Sequence, residues 1–264
     1  MENSSLHTFV ILAYQKSPHL EDCIRSVLNQ SYASQIIIAT TTKNAYIANL
    51  AKKYHLKIIE GNHASIGGDF DFAIHCGKTP LITVAHQDDI YEKTYTENIV
   101  KAYQEYPNSS IIFTDYFEIR GKQKVYKNIN LNIKRILLIP ARIRKSLKNK
   151  HSKRLVLKFG NAICCPAVTF VIKNCPYTIF ASQFKCNVDW HAWEKLSKRN
   201  GAFTFIPRPL MGHRISEDST TTDIIKQGIR TKEDYEIFCR FWPKPIAKLF
   251  AKLYQKSEKS NYLD

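Results

Sequence analysis

Apolar residues along this chain come in short unbroken runs, separated by stretches of helical period. Phe9-Val10-Ile11-Leu12-Ala13 contains no polar residue, the pattern of a strand covered on both faces. Tyr14-Gln15-Lys16-Ser17-Pro18 interrupts it. Leu20, Cys23, Ile24, Val27 and Leu28 then recur at helical spacing. Ser17 is the expected cap of this helix, and Pro18 belongs to its first turn. Residues 35–39 predict a second buried strand, 45–54 a helix and 56–59 a short third strand. Residues 61–68 read as a turn-rich stretch and 69–75 as a helix. A fourth strand, 81–85, runs directly into His86-Gln87-Asp88-Asp89. Residues 94–106 read as a helix and 111–117 as a strand.

Strands therefore alternate with helices over residues 9–117, which predicts βαβ units and a mostly parallel sheet flanked by helices. Ligands of such sheets bind beyond the carboxyl ends of the strands. Tyr14, Thr40 and the turn 86–89 all stand at such ends, so they are expected to share one cleft. The pattern changes after Arg120. No acidic residue occurs from Lys134 to Arg154, and Ile136, Leu137, Leu138, Ile139 and Ile143 interleave with nine cations. One reading is an insertion lying on an anionic surface. The other is a solvated basic loop or helix. A second basic amphipathic stretch runs from Ile246 to Tyr254.

With 264 residues, the chain is long enough for one large domain or two small ones. No apolar run approaches the ~20 residues that span a bilayer. The polar start, without a charged region and a cleavage site, predicts a cytoplasmic protein. A net charge of +16 calls for an anionic partner. Base-stacking aromatics and RNA-module motifs are missing from the basic stretches, so nucleic acid is not that partner. The two stretches instead point to peripheral contact at the inner face of the plasma membrane, or to a polyanionic acceptor. Seven scattered cysteines have neither zinc spacing nor the even count of a disulfide framework, and read as reduced thiols.

Three clusters could do chemistry. Asp88-Asp89 ends a buried strand. Two adjacent carboxylates repel, and a hard divalent cation relieves that cost. A strand-end turn with a helix-capping Asp is the plain alternative. Val188-Asp189-Trp190 opens a helix with Trp190, Trp193 and Leu196 packed inward. Asp189 is either its N-cap or a general base aimed into the cleft. His213-Arg214 starts a hydroxyl-rich stretch through Thr221. It is either a phosphate clamp or a surface loop ending in a helix cap at Thr222.

Taken together, these segments resemble family 2 glycosyltransferases of the GT-A fold. The resemblance begins at residues 9–20 and continues through Leu28-Asn29-Gln30-Ser31-Tyr32 and Gly67-Gly68-Asp69. It then passes through Ala85-His86-Gln87-Asp88-Asp89, at the place of the family's Asp-x-Asp motif. It closes at Val188-Asp189-Trp190 and His213-Arg214, covering roughly residues 8–225 in order. It implies a single GT-A domain with a nucleotide-sugar-binding half (about 1–118) and a basic helical insertion (119–160). An acceptor and catalytic half (161–222) and a C-terminal helical tail (223–264) complete it. It also implies inverting transfer from a nucleotide-sugar, with Mn2+ or Mg2+ held by Asp88, assisted by Asp89 or His213. Asp189 is then the general base. Ala13, Tyr14, Gln15, Thr40, Asp69, Gln87, Asp88, His213 and Arg214 are the expected donor contacts. The expected acceptor is lipid-linked, a glycan or a glycoconjugate of the kind found in surface polysaccharides.

Three positions depart from the family pattern, one of them Val188, which leaves Asp189 without the acidic neighbour often found at the base position. Ala39-Thr40-Thr41-Thr42 stands where an acidic residue often reads the base, which leaves UDP- and dTDP-sugars open as donors. His86 replaces the first acid of the Asp-x-Asp motif. Two other readings compete. A nucleotidyltransferase would carry a glycine-rich phosphate loop after the first strand, and residues 14–18 contain no glycine. A non-catalytic polyanion-binding module on the same scaffold is the second.

Overall fold

The computed structural model describes residues 5–62, 65–215 and 229–260. Strands β1 (His7–Ala13), β2 (Gln35–Thr40), β3 (Lys57–Glu60) and β4 (Leu81–His86) alternate with helices α1 (Leu20–Leu28), α2 (Ala45–Lys53) and α3 (Ile66–Cys76). Then follow β5 (Ile90–Tyr91), α4 (Tyr95–Glu105), β6 (Ser109–Arg120) and β7 (Gln123–Val125). The basic region forms α5 (Ile129–Leu137), α6 (Ile139–Arg144), β8 (Ser146–Leu147) and α7 (Lys150–Leu155). The remainder comprises β9 (Val168–Val171), α8 (Val188–Ser197), β10 (Ala202–Ile215), α9 (Ile229–Phe238) and α10 (Lys244–Ser260).

The described residues build one sheet in the order β3-β2-β1-β4-β9-β6-β10-β5, with β7 on β6 and β8 on β10. The expected parallel arrangement holds from β3 to β4 and again between β6 and β10. Strand β9 lies between these blocks, antiparallel to both β4 and β6. Two reversals restore the direction, so β6 and β10 run the same way as β1 to β4. Their carboxyl ends open on one side of the sheet.

Both faces of the sheet are covered, which explains the unbroken apolar runs. Phe9, Ile11 and Ala13 pack into a core with α1, α2 and α4. Val10 points the other way, into a core shared with α3, α5, α6, α8, α9 and α10. Trp190, Trp193 and Leu196 are buried in this second core as expected.

Two boundaries differ from expectation. Helix α1 starts at Leu20 with His19 as a cap residue that makes no side-chain cap bond. The hydroxyl of Ser17, the expected cap, turns instead to Asp88. Helix α3 begins at Ile66, inside the stretch read as a turn. Ser65 caps it, accepting from the Gly68 N–H at 3.0 Å. Gly67 is required there, because a Cβ would stand 2.4 Å from the Phe180 carbonyl oxygen. All seven cysteines are free.

The basic region is also more structural than its composition implied. Lys134 donates to the Tyr116 hydroxyl at 2.8 Å, and Arg135 pairs with Asp115 at 2.8 Å. Lys153 is fully buried and donates to the carbonyls of Arg199 and Gly201. Burial lowers its pKa to about 8. Arg154 bonds Glu194 and the Arg240 carbonyl. These four cations are therefore fold contacts, leaving Arg142, Arg144, Lys145, Lys148 and Lys150 at the surface. Among the described residues no helix is long and apolar enough to cross a membrane.

Candidate active site

The register of β1 with its neighbours places Leu12 beside both Ala39 and His86, and Ala13 beside Thr40. The residues after these strand ends meet directly. Gln87 reaches across to Tyr14, accepting its N–H at 3.0 Å and donating to its carbonyl at 2.9 Å. The Gln15 N–H donates to Thr42 Oγ1 at 2.6 Å, and Asn44 Nδ2 donates to the Gln15 carbonyl. Gln15 itself has a φ of 53°, a left-handed conformation that this bonding maintains. The turn after β1 is thus locked to the ends of β2 and β4. Thr40 is buried, and its hydroxyl accepts from the Thr42 N–H at 3.1 Å. Asp69 is buried in the first turn of α3, and its neighbour Phe70 lies 5.2 Å from the His86 ring.

The acidic turn divides its two carboxylates between different tasks. Asp88 is half-buried and accepts from Ser17. Asp89 is buried, and its Oδ1 accepts from the Arg214 N–H at 2.9 Å and bonds His213 Nδ1 at 3.1 Å. Arg214 Nε donates to the Asp88 carbonyl at 2.9 Å. The end of β10 is tied to the end of β4 through these bonds, so His213 and Arg214 do reach the acidic turn. The serine- and threonine-rich continuation, with the cap expected at Thr222, lies outside the described residues. Beyond Arg214 opens a cleft of about 410 Å³, where Arg25, Lys122 and Lys124 face a single carboxylate, Asp22.

Electrostatics follow from this pairing. Burial alone would lower the His213 pKa, but the charge and hydrogen bond of Asp89 raise it. Burial opposes ionisation of Asp89, yet His213, His86 and the Arg214 N–H bring its pKa below the ordinary value. His86 is lowered by burial, against the pull of Asp89.

A cation bridging a diphosphate takes one or two carboxylates from a protein rather than a complete cage. Asp88 supplies one. Beside it, His86 Nε2 and Asp89 Oδ2 are buried without hydrogen-bond partners. Among the described residues no three His, Cys, Asp or Glu side chains form a complete metal cage. The donor set fits a cation whose other oxygens arrive with the substrate. Asp89 and His213 already bond each other, so Asp88 is the carboxylate best placed for this role.

Asp189 sits in the first turn of α8, two residues after the cap residue Asn187. It is not the N-cap. Asn161 Nδ2 donates to its Oδ2 at 2.7 Å, and the Trp190 N–H meets its Oδ1. Burial raises its pKa above the ordinary carboxylate range, against the opposing pull of Asn161, Trp190, Arg230 and Lys134. The charge of Asp189 also acts on His86, as the smallest of the influences on that imidazole. A carboxylate of raised pKa suits proton abstraction.

Three further carboxylates pin the segment before α8. Asp71 accepts the N–H groups of Ile179, Phe180 and Ala181. Glu233 accepts those of Lys185, Cys186 and Asn187 at 2.7, 2.9 and 2.9 Å. Asp234 bonds the Asn187 side chain at 2.7 Å. The bonds made by Ser17, Asn161, Asp71 and Glu233 had no signal in the sequence pattern, because their partners lie 28 to 110 residues away.

A family model described as glycosyl transferase family 2 matches residues 8–205. Among solved structures, the 1–349 fragment of S. aureus TarS superposes with a TM-score of 0.62 at 10% identity, covering 93% of this chain and 69% of that one. The same fragment in complex with UDP-GlcNAc gives 0.60 at 11% identity, covering 93% and 70%. The mannosyltransferase PcManGT from Pyrobaculum calidifontis, in complex with GDP-Man and Mn2+, gives 0.61 at 10% identity, covering 97% and 75%. No curated protein matches the sequence significantly. Identities this low establish the shared α/β fold, with its central sheet flanked by helices, and nothing finer.

Proposed function

We propose, from the premise that this chain belongs to glycosyl transferase family 2, that it moves a hexose from a nucleotide-sugar to an acceptor hydroxyl with inversion. The acceptor is a growing glycan, glycoconjugate or lipid-linked sugar of a surface polysaccharide. The donor is a UDP- or dTDP-sugar. The observation that carries this reading is the buried Asp189 at the start of α8, held by Asn161 and the Trp190 N–H, with its pKa raised by burial.

Tyr14 and Gln15 hold the nucleoside on the turn that Gln87, Thr42 and Asn44 fix. Ala13, Thr40 and Asp69 shape the floor and wall around it. Arg214 and His213 bring cationic character to the diphosphate end. Asp88 would hold Mn2+ or Mg2+, which offsets charge on the departing nucleoside diphosphate. The Asp189 carboxylate takes the proton of the acceptor hydroxyl. The acceptor oxygen bonds the anomeric carbon from the face opposite the phosphate. The bond to the phosphate oxygen breaks, and its electron pair leaves with the nucleoside diphosphate. One displacement with one base requires no covalent nucleophile on the protein.

The test is a panel of nucleotide-sugars with Mn2+, read as release of nucleoside diphosphate. One donor should be turned over, and Asp189→Asn should abolish turnover while leaving donor binding nearly intact. Binding of no member of the panel, or full activity in Asp189→Asn, overturns the reading.

A further inference from the structure

We propose that α5, α6 and α10 form one face that docks on an anionic phospholipid bilayer. This rests on the transferase reading only for its purpose, delivery of a lipid-borne acceptor.

The isoleucines of α5 point the wrong way for a core. Ile129, Ile133 and Ile136 lie on one stripe, at i, i+4 and i+7, and this stripe faces solvent. Ile129 is 72% exposed and Ile136 62%. The opposite side of the helix buries Leu131 and holds Lys134 and Arg135 in their bonds to Tyr116 and Asp115. Helix α6 continues the exposed stripe with Ile139 and with Ile143, which is 76% exposed. Helix α10 shows the same design. Ala247 and Ala251 are buried, while Ile246, Leu249 and Leu253 form a separate outward stripe, with the two leucines more than half exposed.

Helices α5 and α10 approach each other at Gly160. Gly160 separates α5 from α10 so closely that a Cβ there would stand 2.9 Å from Tyr254 and 3.6 Å from Leu137. The next residue, Asn161, bonds Asp189. The point where the two helices meet is therefore one residue from a side chain that holds Asp189.

Charge selects the occupant. No Asp or Glu occurs in residues 129–158 or 239–257. The cations not used by the fold flank the stripes: Arg142, Arg144 and Lys145 beside α6, and Lys244, Lys248 and Lys252 on α10. Exposed aliphatics rimmed by free cations suit the boundary between anionic headgroups and acyl chains. A second copy of this chain would bring like charges together.

Flotation with phosphatidylcholine vesicles, with and without phosphatidylglycerol, tests this without any catalytic step. The protein should float at least tenfold more with the anionic vesicles, and raised salt should weaken it. Ile133→Ser/Ile136→Ser/Ile143→Ser should reduce binding more than tenfold. Lys248→Glu/Lys252→Glu should reduce it by roughly fivefold or more per removed cation. Thermal melts checked by circular dichroism should match wild type in both variants. Equal recovery with both vesicles, or variants that float like wild type, overturns the proposal. So does a dimer by sedimentation that the serine variant dissociates without any vesicle binding. Vesicle binding without nucleotide-sugar binding would leave this face standing and sink the transferase reading instead.

Discussion

Asn161 donates its side-chain N–H to Asp189 Oδ2 at 2.7 Å, from a loop 28 residues earlier in the chain. This bond stabilises the carboxylate and so opposes the effect of burial on the Asp189 pKa. The charged form is the base, so kcat/KM should fall as pH drops through that raised pKa. Asn161→Ala removes a stabilising bond, and the acidic limb should move to higher pH. Asp189→Asn should remove the limb and cost roughly 10²- to 10⁴-fold in turnover. A pH-rate profile of the three proteins checks this. An acidic limb that does not move in Asn161→Ala disproves the coupling.

Asp88 and Asp89 are neighbours with opposite surroundings, and their variants should separate. Asp88→Ala should abolish the difference between donor binding with and without Mn2+, read by titration calorimetry. Asp89→Asn weakens the bonds to His213 and the Arg214 N–H. It should lower thermal stability, with a loss on the order of 2 kcal/mol, because a charge-assisted bond in a buried place is weakened. Its binding of donor should still respond to Mn2+. Loss of the metal response in Asp89→Asn with full stability would reverse the two assignments.

The sequence pattern located the strands and helices of residues 9–117 because each depends on its own period. Burial on two faces leaves continuous apolar runs, as at Phe9 to Ala13, and those are visible locally. Placement of β9 between β4 and β6 was not visible, since nothing in Val168–Val171 marks its neighbours. The acidic turn and Asp189 stood out at a strand end and a helix start, and the resemblance to a family gave them and the donor turn their expected roles. Their supports were not visible. Ser17 looked like a helix cap because serine caps helices, but its hydroxyl found a carboxylate 71 residues away. Lys153 looked like surface charge because lysine is seldom buried, yet two carbonyls at the start of β10 hold it inside.

Glu233 holds the start of the helix that carries Asp189. Its carboxylate satisfies three consecutive backbone N–H groups immediately before α8. Glu233→Ala leaves these donors without their acceptor and should destabilise the protein by roughly 3 kcal/mol. Glu233→Gln keeps one acceptor oxygen and should recover part of this. Displacement of α8 moves Asp189, so kcat should fall more than donor KM rises. An unchanged kcat in a destabilised Glu233→Ala would show that the clamp serves folding alone.

His7 provides a pH test of the fold that is separate from the site. It is fully buried at the start of β1, bonded to Ser34 Oγ at 2.9 Å and Thr83 Oγ1 at 2.8 Å. Burial lowers its pKa to about 3. The unfolded chain titrates near the ordinary histidine value, so between about 3 and 6.5 it binds a proton that the folded chain refuses. Stability is then fully present above pH 6.5 and is lost as pH falls toward 3, with a total on the order of 5 kcal/mol. His191, lowered to about 4 mainly by burial, acts in the same direction. Asp234 opposes them, since burial raises it to about 6 and its protonation favours the folded state below that pH. His7→Gln keeps hydrogen-bonding capacity and removes the titration. Denaturant melts from pH 7 to 4 should show a shallower loss of stability in this variant than in wild type, even if its stability at pH 7 is lower. Parallel losses in the two proteins would mean that His7 accepts its proton inside the fold.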